Sequence, residues 1–170
     1  MMTIPIVMEI EASGIGRHSY PIEIGFSRWH GEGWCTLIRP EQGWQHWDDS
    51  AEQRHRIPRE LLIARGKPAH QVTQAMNALL SGYTVYTENR HQDYVWLTRL
   101  FDAAGRVPEF RLADFREIIF PAQVHTWNAT RVQVEDDLNA CRRRASNDAR
   151  ILQLTWLRTY DAMCAGLSRH

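Results

Sequence analysis

Two carboxylates stand two residues apart in an apolar segment near the start of the chain, Ile6 to Gly14. On a β-strand, side chains at positions i and i+2 point to the same face, so Glu9 and Glu11 are expected to project together. Like charges on a buried strand repel each other and are costly to desolvate, and a divalent cation would relieve that cost because hard cations bind carboxylate oxygens. The alternative is an edge strand with one face in water, on which both glutamates are merely solvated.

The composition predicts one globular domain. The 170 residues are 44% hydrophobic and 24% charged, so we predict that residues 1–170 form a single domain with a sizeable core. No apolar run approaches membrane-spanning length, and the first residues lack the features of a signal peptide, so no membrane partner is expected. The cysteines match no zinc spacing, and such a sparse, odd set is typical of reduced thiols, which predicts a cytoplasmic location.

The charge balance limits the kinds of partner. The formal net charge is zero, which excludes a generally basic nucleic-acid-binding protein but not an enzyme whose metal ions supply local positive charge. Apart from Lys67, the positive charge is arginine, whose planar guanidinium suits phosphate, although a compositional drift towards arginine would look the same.

The hydrophobic pattern predicts an α/β fold. Strands are predicted at Ile4–Glu11, Tyr20–Trp29, Trp34–Ile38, Tyr83–Thr87 and Phe110–Phe115. Helices are predicted after Pro58, over residues 72–80, and over His91–Ala104, Arg131–Arg142 and Ser146–Ala165. Residues 39–57 are expected to form a long connection and residues 121–130 an irregular stretch. A three-strand antiparallel meander, followed by strands alternating with helices, gives a mixed five-stranded sheet with helices packed on it.

Two further acids occupy the starts of predicted helices. Asp93 lies where the helix after the fourth strand begins, and Asp148 opens the last helix. Both can approach the end of the first strand if strands one and four are neighbours. Taken singly, either aspartate is explained by helix capping and by the helix dipole.

Taken together, these segments resemble the DnaQ-like 3′–5′ exonucleases, the DEDD or RNase T-type family of the ribonuclease H-like fold. The resemblance runs over nearly the whole chain, through Glu9–Gly14, Ser19–Gly25, Trp47–Asp48, Ile57–Leu61, Asp93–Leu97 and Asp148–Ala149. It implies that two Mg²⁺ or Mn²⁺ ions are held at the scissile phosphate by four acids. The matching acids are Glu9, Glu11, Asp93 and Asp148.

The resemblance also implies the substrate and its seat. The expected partners are single-stranded DNA or RNA 3′ ends or short oligonucleotides, and a homodimer is a further expectation because relatives of the RNase T type can be dimeric. Ala12, Ser13 and Gly14 match the segment that seats the terminal nucleotide. Without the resemblance, these three residues are simply the turn after the first strand.

The first departure from the family is Glu9, which stands where the family has aspartate. The extra methylene moves the carboxylate by about 1.5 Å. Metal sites are sensitive to displacements of ~0.5 Å, so we expect a shifted, bidentate or weakened ion.

The second departure concerns the general base, which in the family is a histidine five residues, or a tyrosine four residues, before the last aspartate. Here those positions are Arg143 and Arg144. Arginine cannot accept a proton at neutral pH, and loss of a general base costs about 10²–10⁴-fold in rate. The sequence therefore predicts a slow exonuclease or, alternatively, a degenerate module that binds nucleotide ends or a protein partner without cleavage.

Arg143 itself has three interpretations. It can contact the scissile or an adjacent phosphate, it can pair with Glu9 or Asp148 in place of a cation, or it can be one member of a solvated basic run, residues 142–144. Solvation is the default for the run as a whole, whereas the first two interpretations are favoured for Arg143.

Other residues invite a functional interpretation. His91 can approach the metal site, although an exposed histidine at the start of a helix is the favoured expectation. His125 lies in the stretch 121–130, which can fold over the cleft and supply a substitute base. Trp44 and Trp47 can stack on a terminal base or can anchor their loop, and anchoring is favoured.

Overall fold

The computed structural model describes residues 3–139 and 144–167. Within these ranges it contains five strands, β1 (Ile6–Ala12), β2 (Pro21–Ser27), β3 (Gly33–Leu37), β4 (Thr84–Thr87) and β5 (Arg111–Asp114). The α-helices of the described ranges are α1 (Asp49–His55), α2 (Arg59–Arg65), α3 (Ala69–Leu80), α4 (Arg90–Ala103), α5 (Pro121–Asp137) and α6 (Ala145–Leu167).

The strands form one mixed sheet in the order β3-β2-β1-β4-β5. β1, β2 and β3 pair antiparallel, whereas β4 runs parallel to both β1 and β5. The antiparallel neighbours need only short turns, and the parallel ones need helical crossovers, which α1 to α3 and α4 supply. The prediction of an α/β fold with a three-strand meander and two further strands is confirmed.

Alternation along β1 assigns its side chains to the two faces of the sheet. Met8 and Ile10 join the larger core, which α2, α3 and α4 cover. Val7 points to the opposite face and packs against Leu152 and Trp156 of α6. Because the period of a strand is two residues, Glu9 and Glu11 lie on the same face as Val7, beneath α6.

The start of α6 lies directly against β2 at Gly25. A Cβ added to this glycine would stand 2.3 Å from the backbone nitrogen of Ser146, which no side chain permits. Gly25 is also the register partner of Glu9 on β1. The missing side chain therefore brings the first turn of α6, and with it Asp148, close to the acid pair.

Two predictions about helices were wrong. Residues 121–130 are helical, because Pro121 suits a first helical position and the Gln123 side chain accepts a hydrogen bond of 2.9 Å from the backbone N–H of Phe120. The predicted helix Arg131–Arg142 therefore begins ten residues too late, and its last residues lie outside the described ranges. The predicted connection 39–57 contains α1, which starts where the Asp48 carboxylate accepts from Ser50 N–H at 2.9 Å.

Within the described ranges, no helix combines the length and the apolar character needed to cross a bilayer.

Candidate active site

An open cleft of about 840 Å³ lies beside the ends of β1 and β4, between α4, α5 and α6. All four predicted acids line it, namely Glu9, Glu11, Asp93 and Asp148. They come from three separate parts of the chain: the pairing of β1 with β4 brings Asp93 to the two glutamates, and the packing of α6 on Gly25 brings Asp148. The structure thus places in one cleft the residues that the sequence singled out.

Glu9 is surrounded by other negative charges. Its burial raises the pKa of the carboxyl well above the usual range. The same pKa is raised further by the neighbouring carboxylates Asp93, Glu88, Asp148 and Glu11. Burial and like charge thus both disfavour the ionised form of Glu9, and a bound cation would favour it.

Asp93 lies in the first turn of α4, with only 2% of its surface exposed. Burial raises its pKa to about 7, while a hydrogen bond from the Thr87 hydroxyl opposes the rise and the charge of Glu88 adds to it. Asn89, not Asp93, is the N-cap of α4. Helix capping therefore does not account for Asp93, although its place in the first turn still suits the dipole.

Asp148 lies in the first turn of α6 and is partly buried. The position of this turn is fixed by Glu23 of β2, which is fully buried on the same face of the sheet. The Glu23 carboxylate accepts a hydrogen bond of 2.8 Å from Ala145 N–H, and Arg144 Nε lies 2.9 Å from its Oε2. The Cys35 thiol donates to the same carboxylate at 3.1 Å.

This anchor was missed at the level of sequence. The alternation along β2 sets Glu23 against the apolar Ile22 and Ile24 and assigns it no role. Arg144 belongs to the run for which solvation is the default. The structure buries Glu23 beneath α6, whereas the Arg144 side chain stays 44% exposed while it pairs with Glu23. The available signal was Gly25, since a small residue next to an acid on a strand permits close approach of another element.

Arg143 lies outside the described residues, so its three interpretations stay predictions. Arg144, which stands at the position of the family's tyrosine, forms an ion pair with Glu23. His91 and His125 are both exposed, and no histidine is among the described residues that line the cleft. Neither of these two histidines is therefore placed at the acids.

Ala12, Ser13 and Gly14 lie beside the cleft and do not line it. Ser13 is fully buried, and its backbone N–H and carbonyl bond to the Tyr20 carbonyl and the Asp48 N–H, each at 2.9 Å. Gly14 has a φ of +149°, and an added Cβ would meet the Asp48 side chain at 2.6 Å. The backbone groups of Ser13 are used within the fold, and the nucleotide seat stays a prediction.

The tryptophans of the long connection anchor it. Trp44 is buried and stacks on Tyr20, with ring centroids 5.3 Å apart. The Trp47 indole donates to Glu52 at 2.7 Å and contacts His55 edge-on. The favoured interpretation, loop anchoring, agrees with these contacts.

The cleft is strongly acidic. Its described lining contains seven carboxylates, Glu9, Glu11, Glu88, Asp93, Glu135, Asp136 and Asp148, and two cations, Arg54 and Arg131. Glu88 and Arg131 were not identified from the sequence. Glu88 immediately follows β4, which is a position where site residues collect, whereas Arg131 was hidden by the wrong start of its helix.

The donor set of the cleft suits a hard cation. Carboxylate oxygens are the ligands that Mg²⁺ and Mn²⁺ prefer, and burial together with neighbouring carboxylates raises the pKa of Glu9 and of Asp93, which a bound cation would lower. In residues 3–139 and 144–167, however, no three His, Cys, Asp or Glu side chains converge into a ready-made metal cluster. The residues thus fit such an ion by chemistry, and side-chain rearrangement has to complete the coordination.

Comparison by sequence finds no match: no family model matches the chain, and no curated protein is similar to it. The fold does match solved structures. Exonuclease I of E. coli, in complex with a 5cy-dA13 oligonucleotide, superposes with a TM-score of 0.63 at 12% identity over 93% of this chain and 41% of the other. A zinc-bound form of the E. coli exonuclease I–ssDNA complex gives 0.62 at 12% identity, covering 97% and 43%.

The exonuclease I of Methylocaldum szegediense gives a TM-score of 0.60 at 14% identity, covering 90% of this chain and 40% of the other. The chain thus spans less than half the length of the exonuclease I structures it matches. At these identities the likeness shows a common fold, which confirms the predicted ribonuclease H-like architecture.

Proposed function

We propose that this chain is a metal-dependent 3′–5′ exonuclease that acts on single-stranded nucleic-acid ends and turns over slowly. The observation that carries the proposal is the convergence of Glu9, Glu11, Asp93 and Asp148 on one cleft of a fold shared with exonuclease I. The structures it matches include complexes with single-stranded oligonucleotides, which supports a substrate of this class.

The four acids would hold Mg²⁺ or Mn²⁺, in the two-ion arrangement that the resemblance implies. When bound, such ions supply Lewis-acid stabilisation of the charge that develops on the scissile phosphate. Glu9 and Glu11 project together from β1, and Asp93 is held by the Thr87 hydroxyl. Asp148 is carried by the helix start that Glu23 anchors. The side chains would thus be delivered by three rigid elements, which favours precise positioning.

Slow turnover follows from the missing base. Arg143 and Arg144 occupy the positions at which the family has a general base, and Arg144 is bound to Glu23. Without a base of its own, the protein would draw its nucleophile from bulk water, at a cost of about 10²–10⁴-fold. Arg143 is proposed to contact phosphate or to pair with Glu9 or Asp148.

The alternative is a degenerate module that binds nucleotide ends or a protein partner without cleavage. It is favoured by the absence of a histidine from the described cleft lining and by the unassembled metal ligands. The homodimer, the cytoplasmic location and the single-domain organisation stay predictions.

The test is incubation of the pure protein with 5′-labelled single-stranded DNA and RNA oligonucleotides in Mn²⁺. A ladder shortened from the 3′ end is expected, and Glu11→Ala is expected to abolish it. A ladder that persists in the Glu11→Ala protein would trace the activity to a contaminant. Ion-dependent binding without a ladder would favour the degenerate module. If the protein neither binds nor cleaves the oligonucleotides, both functions on nucleic-acid ends are refuted.

A further inference from the structure

One ion pair lies across the wall of the cleft. Arg131 of α5 faces Glu88, the residue after β4, with Nη1 2.8 Å from Oε1 and Nη2 3.4 Å from Oε2. The third guanidinium nitrogen, Nε, lies 3.4 Å from Glu135. Arg131 and Glu88 both line the cleft, so this bidentate contact lies where a ligand would bind.

This pair can be exchanged at little cost. The side chains of Arg131 and Glu88 are 34% and 42% exposed, respectively. Ion pairs with such access to water contribute about 0–1 kcal/mol to stability, so the fold does not depend on keeping the pair intact. Another anion of the same shape can therefore replace Glu88.

Phosphate is such an anion. A guanidinium presents parallel N–H donors that match two oxygens of a carboxylate and two oxygens of a phosphate equally well. Arg131 is held in that geometry by Glu88. The other cation of the described lining, Arg54, is exposed. In a cleft with so many carboxylates, Arg131 is thus the cation already positioned to receive a polyanion.

Glu88 also links the pair to the proposed ion site. Its negative charge is close enough to Glu9 and Asp93 to raise the pKa of both. Positive charge bound by those acids would therefore attract Glu88 and weaken its hold on Arg131. The release of the guanidinium would then be coupled to cation binding in the cleft.

We propose that Arg131 binds a backbone phosphate of the single strand, and that Glu88 occupies the guanidinium until the phosphate replaces it. The proposal rests on the proposed function. It assigns a substrate-binding role to Arg131 and the role of a competing, positioning residue to Glu88.

The test measures the binding of a 5′-fluorescein-labelled oligothymidylate by fluorescence anisotropy, in Ca²⁺ and over a range of salt concentrations. Arg131→Gln is expected to weaken binding about tenfold, the loss of a charge-assisted hydrogen bond. It is also expected to lower the slope of log affinity against log salt by about 0.7, the value for one phosphate contact on a single strand. Arg131→Lys should keep the slope while losing part of the affinity.

Glu88→Gln is expected to act in the opposite direction and to tighten binding severalfold, because it removes the competitor. The matched control is Asp136→Asn, which also removes one carboxylate charge from the cleft lining but is not a partner of Arg131 in the described contacts. The gain from Glu88→Gln should exceed the gain from Asp136→Asn, and Arg131→Gln should erase the excess in the double variant.

The outcomes separate this proposal from the function on which it rests. If Glu88→Gln and Arg131→Gln weaken binding alike and lower the melting temperature alike, the pair is a structural brace and the proposal is overturned. If the wild-type protein binds the oligonucleotide and Arg131→Gln changes neither affinity nor salt slope, the proposal fails while the proposed function stands. If the wild-type protein binds no oligonucleotide, both fail.

Discussion

Glu23 on β2 and Glu9 on β1 lie on the same face of the sheet, on adjacent strands, yet their carboxylates have different surroundings. The Glu23 carboxylate pairs with Arg144 and accepts hydrogen bonds from the Ala145 N–H and the Cys35 thiol. The Glu9 carboxyl lies near further carboxylates. In the described ranges, no arginine, lysine or histidine forms an ion pair with Glu9 or with Asp93. Among the described residues, Glu23 has a compensating cation and Glu9 has none.

The two kinds of surroundings have opposite consequences for stability. A buried carboxylate with a cation and hydrogen-bond donors holds elements together, here α6 on β2. Buried carboxylates without such partners lower stability and are tolerated where something outside the chain balances them. The comparison therefore predicts opposite responses to neutralisation: loss of stability at Glu23 and a gain in the cleft.

The largest effect is expected at Asp93 in metal-free protein. Its pKa is about 7 in the folded state, against about 3.9 in an unfolded chain. Between these values the folded state holds the proton that the unfolded state releases, so stability is full below about pH 4 and falls as the pH rises through 7. Asp93→Asn, which can still accept from Thr87, should raise the free energy of unfolding at pH 8 by up to about 4 kcal/mol.

Urea denaturation in EDTA at pH 5 and pH 8 measures this difference. The gain from Asp93→Asn should be larger at pH 8. An equal gain in the free energy of unfolding at the two pH values would show that charge is not the cause of the gain. A loss of stability at pH 8 would contradict the predicted contrast between Glu23 and the cleft.

The next largest effect is a loss of stability, expected at Glu23. Glu23→Gln should lower the free energy of unfolding by about 3 kcal/mol, because it leaves the Ala145 and Arg144 donors poorly matched. The value lies at the lower end for buried pairs because the Arg144 side chain is 44% exposed. A double-mutant cycle with Arg144→Gln in urea should give strongly non-additive losses. Additive losses would mean that the pair does not anchor α6.

Divalent ions should distinguish the two regions. Mg²⁺ at 100 times its dissociation constant should stabilise the wild-type protein by about 2.7 kcal/mol. Thermal unfolding with and without the ion should show this gain in Glu23→Gln as well, but not in Asp93→Asn. An equal gain in all three proteins would place the ion outside the acid cleft.

The smallest effect concerns the missing base. Arg143→His is expected to raise turnover on a single-stranded oligonucleotide about tenfold, or about 1.4 kcal/mol of barrier, if a base is all that the cleft lacks. The matched control is Arg144→His, which should bring no gain because it removes the partner of Glu23. Bound metal without any gain in Arg143→His would refute this account of slow turnover.

The sequence predicted the strands well because their signal is local. Alternation in β1 and β2, and turns between them, identified the meander, and the acid pair on one face of β1 followed from the same period. Helix α5 was placed wrongly because residues 121–130 carry no clear amphipathic pattern, whereas its start depends on Pro121 and on the Gln123 side chain. Asp93 and Asp148 needed the family resemblance to be grouped with Glu9.

What the sequence determined by itself was the shared face of Glu9 and Glu11 on β1 and the α/β class, because side-chain periodicity depends only on neighbours along the chain. Tertiary structure alone decided which charges are balanced. Glu23 meets Arg144 across 121 positions, and Glu88 meets Arg131 across 43. Such partners are chosen by how α5 and α6 close over the sheet, and no local pattern records that choice.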